Sequence, residues 1–157
     1  MKLNSSNETA SLCQHYMGHI FLRMKNYEKA IKCFSEELLI NPTNSQAYFH
    51  KANAFYSLQL YDDSLMCFSE AIRLDSCNSE FYFGKGLVYD CLNKSLEAIA
   101  CYDECLKLNR KFVDAYTFKG CGLIKIGRFQ EAFHCFEAAL DLDPNDSLAI
   151  FNKNLFF

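Results

Sequence analysis

Proline occurs only twice in the 157 residues, at positions 42 and 144, and glycine six times. So few breakers leave little room for long loops and favour helices. No stretch approaches the eighteen or so apolar residues of a membrane span. The polar opening segment, residues 1–10, holds no apolar run of signal-peptide length. Neither sign of charge dominates: a net charge of −3 and a pI near 5.8 provide no attraction to nucleic acid or anionic lipid. What is plentiful is apolar surface, at 50% of residues against 22% charged, the balance of a folded domain with one core. Nine cysteines are an odd number in a chain with no export signal. They read as reduced thiols in a cytoplasmic setting, not as a secreted disulfide framework.

The chain repeats itself every 34 residues. Ala30, Ser64, Ala98 and Ala132 keep that interval, as do Phe34, Phe68, Tyr102 and Phe136, and Cys33, Cys67, Cys101 and Cys135. Gly18, Ala52, Gly86 and Gly120 are in step too, as are Phe21, Phe55, Tyr89 and Leu123. The frame divides residues 11–157 into units 11–44, 45–78, 79–112 and 113–146, with a partial fifth, 147–157, that matches a first half only. Residues 1–10 are expected as a short polar tail. Within a unit, apolar residues recur at three- and four-residue steps, which predicts two helices per unit. Gly127 suits a left-handed turn between the two helices of the last full unit. Asn41-Pro42-Thr43-Asn44 and Asp143-Pro144-Asn145-Asp146 each stop one helix and cap the next. Gly86 and Gly120 fall in mid-helix, where glycine costs about 1 kcal/mol relative to alanine. Close helix–helix contact accounts for that cost, with Ala30, Ala98 and Ala132 as the expected partners.

These residues resemble the tetratricopeptide repeat family, whose 34-residue signature sets small and aromatic residues on a first helix and Ala, Phe, Ala and Pro on a second. The fourth unit fits best, through Tyr116, Gly120, Ala132, Phe136, Ala139 and Pro144. The first departs at Gln14 and Glu37, the second at Ser64 and Ser76, and the third at Cys105 and Arg110. The resemblance implies an all-α, right-handed helical-repeat solenoid of four helix–turn–helix units plus a C-terminal helix, with first helices on a concave wall. It implies a scaffold or adaptor that binds a peptide or helix of a partner protein in that groove. The groove positions are Phe49, Asn53, Tyr56, Phe83, Leu87, Thr117, Phe118 and Cys121, although any of them could instead pack between helices. Such an aromatic lining prefers an apolar or amphipathic segment. The carboxylate clamp that some members use for acidic chaperone tails finds no cations at its positions, and Glu80 and Asp114 would repel a carboxylate. An acidic chaperone C-terminal tail is therefore not the expected partner.

Three histidines converge on neighbouring first helices. His15 and His19 lie four apart on one face, His50 is on the next first helix and Glu80 on the one after. Such a set could bind zinc or another divalent ion, or make the groove pH-responsive. The alternative is a polar, partly solvated groove entrance. The segment His15-Tyr16-Met17-Gly18-His19 lacks the glutamate of a zinc-protease helix. Cysteines 33, 67, 101 and 135 belong to four successive outer helices, too far apart to chelate one ion, and read as small packing residues. Gly84-Lys85-Gly86 and Gly120-Cys121-Gly122 lie inside helices, not after strands, so neither makes a phosphate loop. With no Ser/His/Asp or Cys/His set, the chain reads as a non-enzyme needing no cofactor, with no nucleic-acid or membrane-spanning role. The apolar ending Leu155-Phe156-Phe157 suggests either a fragment of a longer array or an end that packs on a second copy or a partner.

Overall fold

The computed structural model describes residues 2–156 and, for side chains, those from Asn7 to Phe156. Among the described residues there are nine helices and no strand. They are α1 (Lys2–Arg23), α2 (Tyr27–Ile40), α3 (Ser45–Ser57), α4 (Tyr61–Leu74), α5 (Ser79–Cys91), α6 (Ser95–Leu108), α7 (Val113–Lys125), α8 (Phe129–Leu142) and α9 (Ser147–Phe156). From α4 onward every helix begins 34 residues after its counterpart in the preceding unit. The polar segment 1–10 is the exception to the sequence reading. It is helical from Lys2 onward, because it holds neither proline nor glycine and nothing stops α1 from propagating backward through it. None of the described helices is long and apolar enough to cross a membrane.

The chain forms two compact units, Met1–Ser76 and Cys77–Phe157. In the first, α1 packs on α2, α2 on α3 and α3 on α4. In the second the same order runs from α5 to α9, with α7 also reaching α9. Each second helix buries one aromatic ring in the core, Phe34, Phe68, Tyr102 or Phe136, and α5 buries Phe81 as well. Each such ring is worth about 1.5–3 kcal/mol on burial. The mid-helix glycines make room for these rings. A Cβ on Gly18, Gly86 or Gly120 would lie 2.5–2.6 Å from Phe34, Tyr102 or Phe136 respectively. The partner of each glycine is therefore the ring and not the alanine expected from sequence. A gain of that size outweighs the roughly 1 kcal/mol that the glycine costs its helix. In the second pair Ala52 takes the glycine's place, and Ser64 Oγ donates a hydrogen bond of 2.9 Å to the Ala52 carbonyl.

The turns inside the pairs are also copies of one another. Lys25, Gln59, Asn93 and Gly127 all have positive φ, at 56°, 61°, 56° and 77°. At each turn the next residue's amide reaches back to the helix end, as in Asn26 N–H to the Phe21 carbonyl and Arg128 N–H to the Leu123 carbonyl, both 2.9 Å. This is the double-bonded left-handed helix stop. Between pairs, Asn44, Asn78 and Asp146 accept backbone N–H groups of α3, α5 and α9. Phe112 stands at the same position before α7 and makes no side-chain cap.

A non-glycine residue in the left-handed region costs about 1–2 kcal/mol, against the 0.5–1 kcal/mol of extra freedom that glycine gives the unfolded chain. Gln59 is exposed, so Gln59→Gly loses no packing. The substitution is expected to stabilise the chain by about 0.5–1 kcal/mol, a rise of about 1–3 °C in the thermal midpoint. Calorimetry or circular dichroism reads it.

Candidate functional site

In the first unit, α1 and α3 bring three imidazoles together. The ligand nitrogens of His15, His19 and His50 all lie within 4.8 Å of one another. His15 and His19 are one turn apart on α1, with Nε2 atoms 3.1 Å apart. His15 Nδ1–H donates to both carboxylate oxygens of Glu37 on α2, at 3.2 Å each. That bond fixes the ring's tautomer and turns its Nε2 lone pair toward His19, whose Nε2–H donates to it. Glu37 is buried, and its Oε1 accepts a further bond of 2.6 Å from Asn44 Nδ2. His50 stacks on Phe34, with centroids 5.6 Å apart and planes at 28°, and its ring centre lies 4.2 Å from that of His19. Burial, with smaller contributions from His19 and His15, pushes His50 down to about 4. His19 is lowered by burial and then by His15. A cavity of about 730 Å³, lined in part by Ser11, Leu12, His15, Glu37 and Asn44, opens beside this cluster.

Glu37 is the residue that sequence reasoning missed. It was visible only as a departure from alanine, yet its counterparts at 34-residue steps are Ala71, Cys105 and Ala139. A buried carboxylate where the other pairs carry small apolar residues was the available signal. Glu80, expected among the histidines, is exposed in the first turn of α5, where its backbone N–H donates to Asn78 Oδ1 at 3.0 Å. The carboxylate bonded to the cluster is Glu37.

The second unit carries the same six positions two repeats later, with different chemistry. His15, His19, Phe34, Glu37, Asn44 and His50 become Phe83, Leu87, Tyr102, Cys105, Phe112 and Phe118. Their rings form one cluster: Phe83 lies 4.8 Å from Phe112 and 5.8 Å from both Phe118 and Tyr102, centre to centre. Tyr102 reaches across the pair to donate to Asp90 at 2.6 Å, and Lys125 holds the other Asp90 oxygen at 3.1 Å. Phe83, Leu87 and Phe118 are half-buried, leaving ring and aliphatic surface in the open.

The remaining groove positions differ in availability. Phe49, Asn53 and Tyr56 are half-buried on α3, with Phe49 5.2 Å from His50 and 6.0 Å from Phe68. Cys121 is half-buried and 3.6 Å from Asn152 Nδ2. Thr117 is only 1% accessible. Its hydroxyl donates to Asp146 at 2.5 Å, tying α7 to the residue that caps α9, so it presents no surface to a partner. On α9, Leu155 and Phe156 are 60% and 44% exposed, and Phe157 lies outside the described residues. Of the in-register cysteines, 33, 67 and 135 are buried and 101 is partly so.

Profiles of the tetratricopeptide repeat match most of the chain, one over residues 11–44 and 113–146, another over 45–76 and 79–112. The chain belongs to the tetratricopeptide repeat family. No curated protein sequence matches it significantly. Among solved structures it is similar to MamA, at 18% identity over 93% of this chain and 80% of that one, with a TM-score of 0.86. It is similar to YrrB, described as a tetratricopeptide protein with an unusual peptide-binding site, at 21% identity over 88% and 72%, TM-score 0.76. It is also similar to the first such domain of Spaghetti (RPAP3), solved bound to the HSP90 peptide SRMEEVD, at 22% identity over 71% and 89%, TM-score 0.70. At these identities the likeness is one of fold.

Burial lifts the thiols of Cys67, Cys101 and Cys121 to about 11 and that of Cys105 to about 12, from an ordinary 9.0. The folded chain thus holds these protons more tightly than the unfolded one. Their contribution to stability is complete below pH 9 and is lost as pH rises from 9 through 11 to 12. Cys105→Ala installs the residue found at Ala71 and Ala139 and is expected to flatten that decline. Denaturant midpoints measured between pH 8 and 11 for both proteins give the comparison.

Proposed function

We propose that the chain is a non-catalytic interaction module that holds an apolar or amphipathic peptide or helix of a partner protein against its first helices. The observation that carries this reading is the half-buried cluster of Phe83, Leu87 and Phe118 on α5 and α7. Rings held by neighbouring rings are already ordered, so a partner side chain that docks on them costs little additional entropy. Phe49, Asn53 and Tyr56 on α3 offer the same kind of half-buried surface within the first unit, as Cys121 does on α7 in the second. Peptide binding by the Spaghetti domain and by YrrB supports a peptide ligand for this fold. An acidic chaperone tail suits this chain poorly, because Glu80 and Asp114 open α5 and α7 with negative charge. Buried thiols with raised pKa fit a reducing, cytoplasmic setting.

Peptides selected on the full chain from a random phage-displayed library test this reading. Apolar or amphipathic sequences are expected, and Phe118→Ala is expected to weaken their binding at least tenfold. Phe129→Ala, on the outer face of α8, leaves it unchanged. Equal affinity for Phe118→Ala and wild type overturns the reading.

A second contact surface is proposed on α9, where Phe151, Leu155 and Phe156 leave contiguous apolar area exposed. Self-association there predicts a dimer by light scattering that Leu155→Asp/Phe156→Asp converts to monomer. A monomeric wild type excludes it.

A further inference from the structure

We infer that His15, His19 and His50 form a three-imidazole site for a zinc-class divalent metal ion, with Glu37 as the carboxylate that orients and neutralises it. The donor set selects the ion. Neutral imidazole nitrogens suit zinc and its transition-metal neighbours, whereas calcium and magnesium require oxygen ligands.

Geometry supports this assignment. Four-coordinate zinc at about 2.0–2.1 Å from each nitrogen requires its ligand atoms to be roughly 3.3 Å apart. His15 and His19 already hold their Nε2 atoms at 3.1 Å. The outermost ligand atoms of the three are at most 4.8 Å apart, so closure asks for a movement of no more than about 1.5 Å, within the reach of side-chain rotation. The hydrogen bond between His15 and His19 is replaced by the ion, and the His19 proton moves to Nδ1 or to solvent.

Glu37 gives an independent reason. It is a buried carboxylate on the far nitrogen of a ligand histidine, the arrangement that fixes ring orientation and raises ligand basicity in zinc proteins. Among the described residues no lysine or arginine pairs with it; its partners are His15 and Asn44. Burying a carboxylate without a lysine or arginine partner is costly, and a dication bound one imidazole away relieves that cost. The set is also local to one place in the repeat. At the corresponding positions two repeats later stand Phe83, Leu87, Phe118 and Cys105, which keep the helix packing without any ligand. Helix packing therefore does not require histidine or glutamate at these positions. Three protein ligands leave the fourth position to water or to a group brought by a partner.

The test uses the full chain, expressed without a polyhistidine tag, stripped with chelator and titrated with Zn²⁺. Binding of one ion per chain at micromolar affinity or tighter, with a raised thermal midpoint, is expected. Co²⁺ in its place is expected to give the visible d–d bands of a four-coordinate nitrogen site, displaced by Zn²⁺. His19→Leu, which copies Leu87, is expected to lose at least 100-fold in affinity, and Glu37→Gln about 10–100-fold. His134→Gln, on α8, retains full affinity. Failure of the wild type to bind one ion, or unchanged affinity in His19→Leu, overturns the assignment. Should His19→Leu not fold, the wild-type cobalt spectrum decides alone. The outcome is separate from that of the peptide experiment, because Phe118→Ala leaves all three histidines in place.

Discussion

An aromatic ring on each second helix lies where the facing helix has almost no side chain, and the spacing of every pair follows from that contact. Phe34, Tyr102 and Phe136 occupy volume that a methyl group on Gly18, Gly86 or Gly120 would invade. Because that contact recurs at a fixed interval, so do the turns inside the pairs and the lengths of the helices from α2 to α8.

Much of this was legible in the sequence. The 34-residue frame places helix starts correctly from α3 onward, and Asn44 and Asp146 cap the helices they precede. Gly127 marks its left-handed turn because glycine is the residue that favours such a φ. Lys25, Gln59 and Asn93 take the same conformation without a chemical sign of it, since the helix-stop hydrogen bonds and packing impose it. The extension of α1 through residues 2–10 was hidden because a polar sequence without breakers carries no periodic apolar signal. At the candidate site, the meeting of His15, His19 and His50 followed from counting, whereas Glu37 did not. Its role depends on the second helix turning a buried carboxylate toward the first, a three-dimensional fact that linear spacing does not carry. Thr117 was read as groove surface because its register position is Phe49 and Phe83 in other units. Its shorter side chain is buried and bonded to Asp146 instead.

The junction before α7 shows how packing overrides a local rule. Asn44, Asn78 and Asp146 supply side-chain oxygens to the helices that follow them, a contribution of about 1 kcal/mol each. Phe112 gives that up and places its ring 4.8 Å from Phe83 instead. Burial of an aromatic side chain is worth more than a cap, and the exchange occurs where the apolar cluster of the second unit is assembled.

The six positions shared by the two units, polar and histidine-rich in one and aromatic in the other, bear on how such a molecule acquires a new capability. Repetition supplies a backbone whose folding needs the ring at Phe34 or Tyr102 but tolerates different residues at the other five places. One copy can then drift toward coordination chemistry while its sibling drifts toward greasy contact, and neither change disturbs the architecture. In a tandem array, innovation is a matter of divergence between paralogous segments of a single gene product.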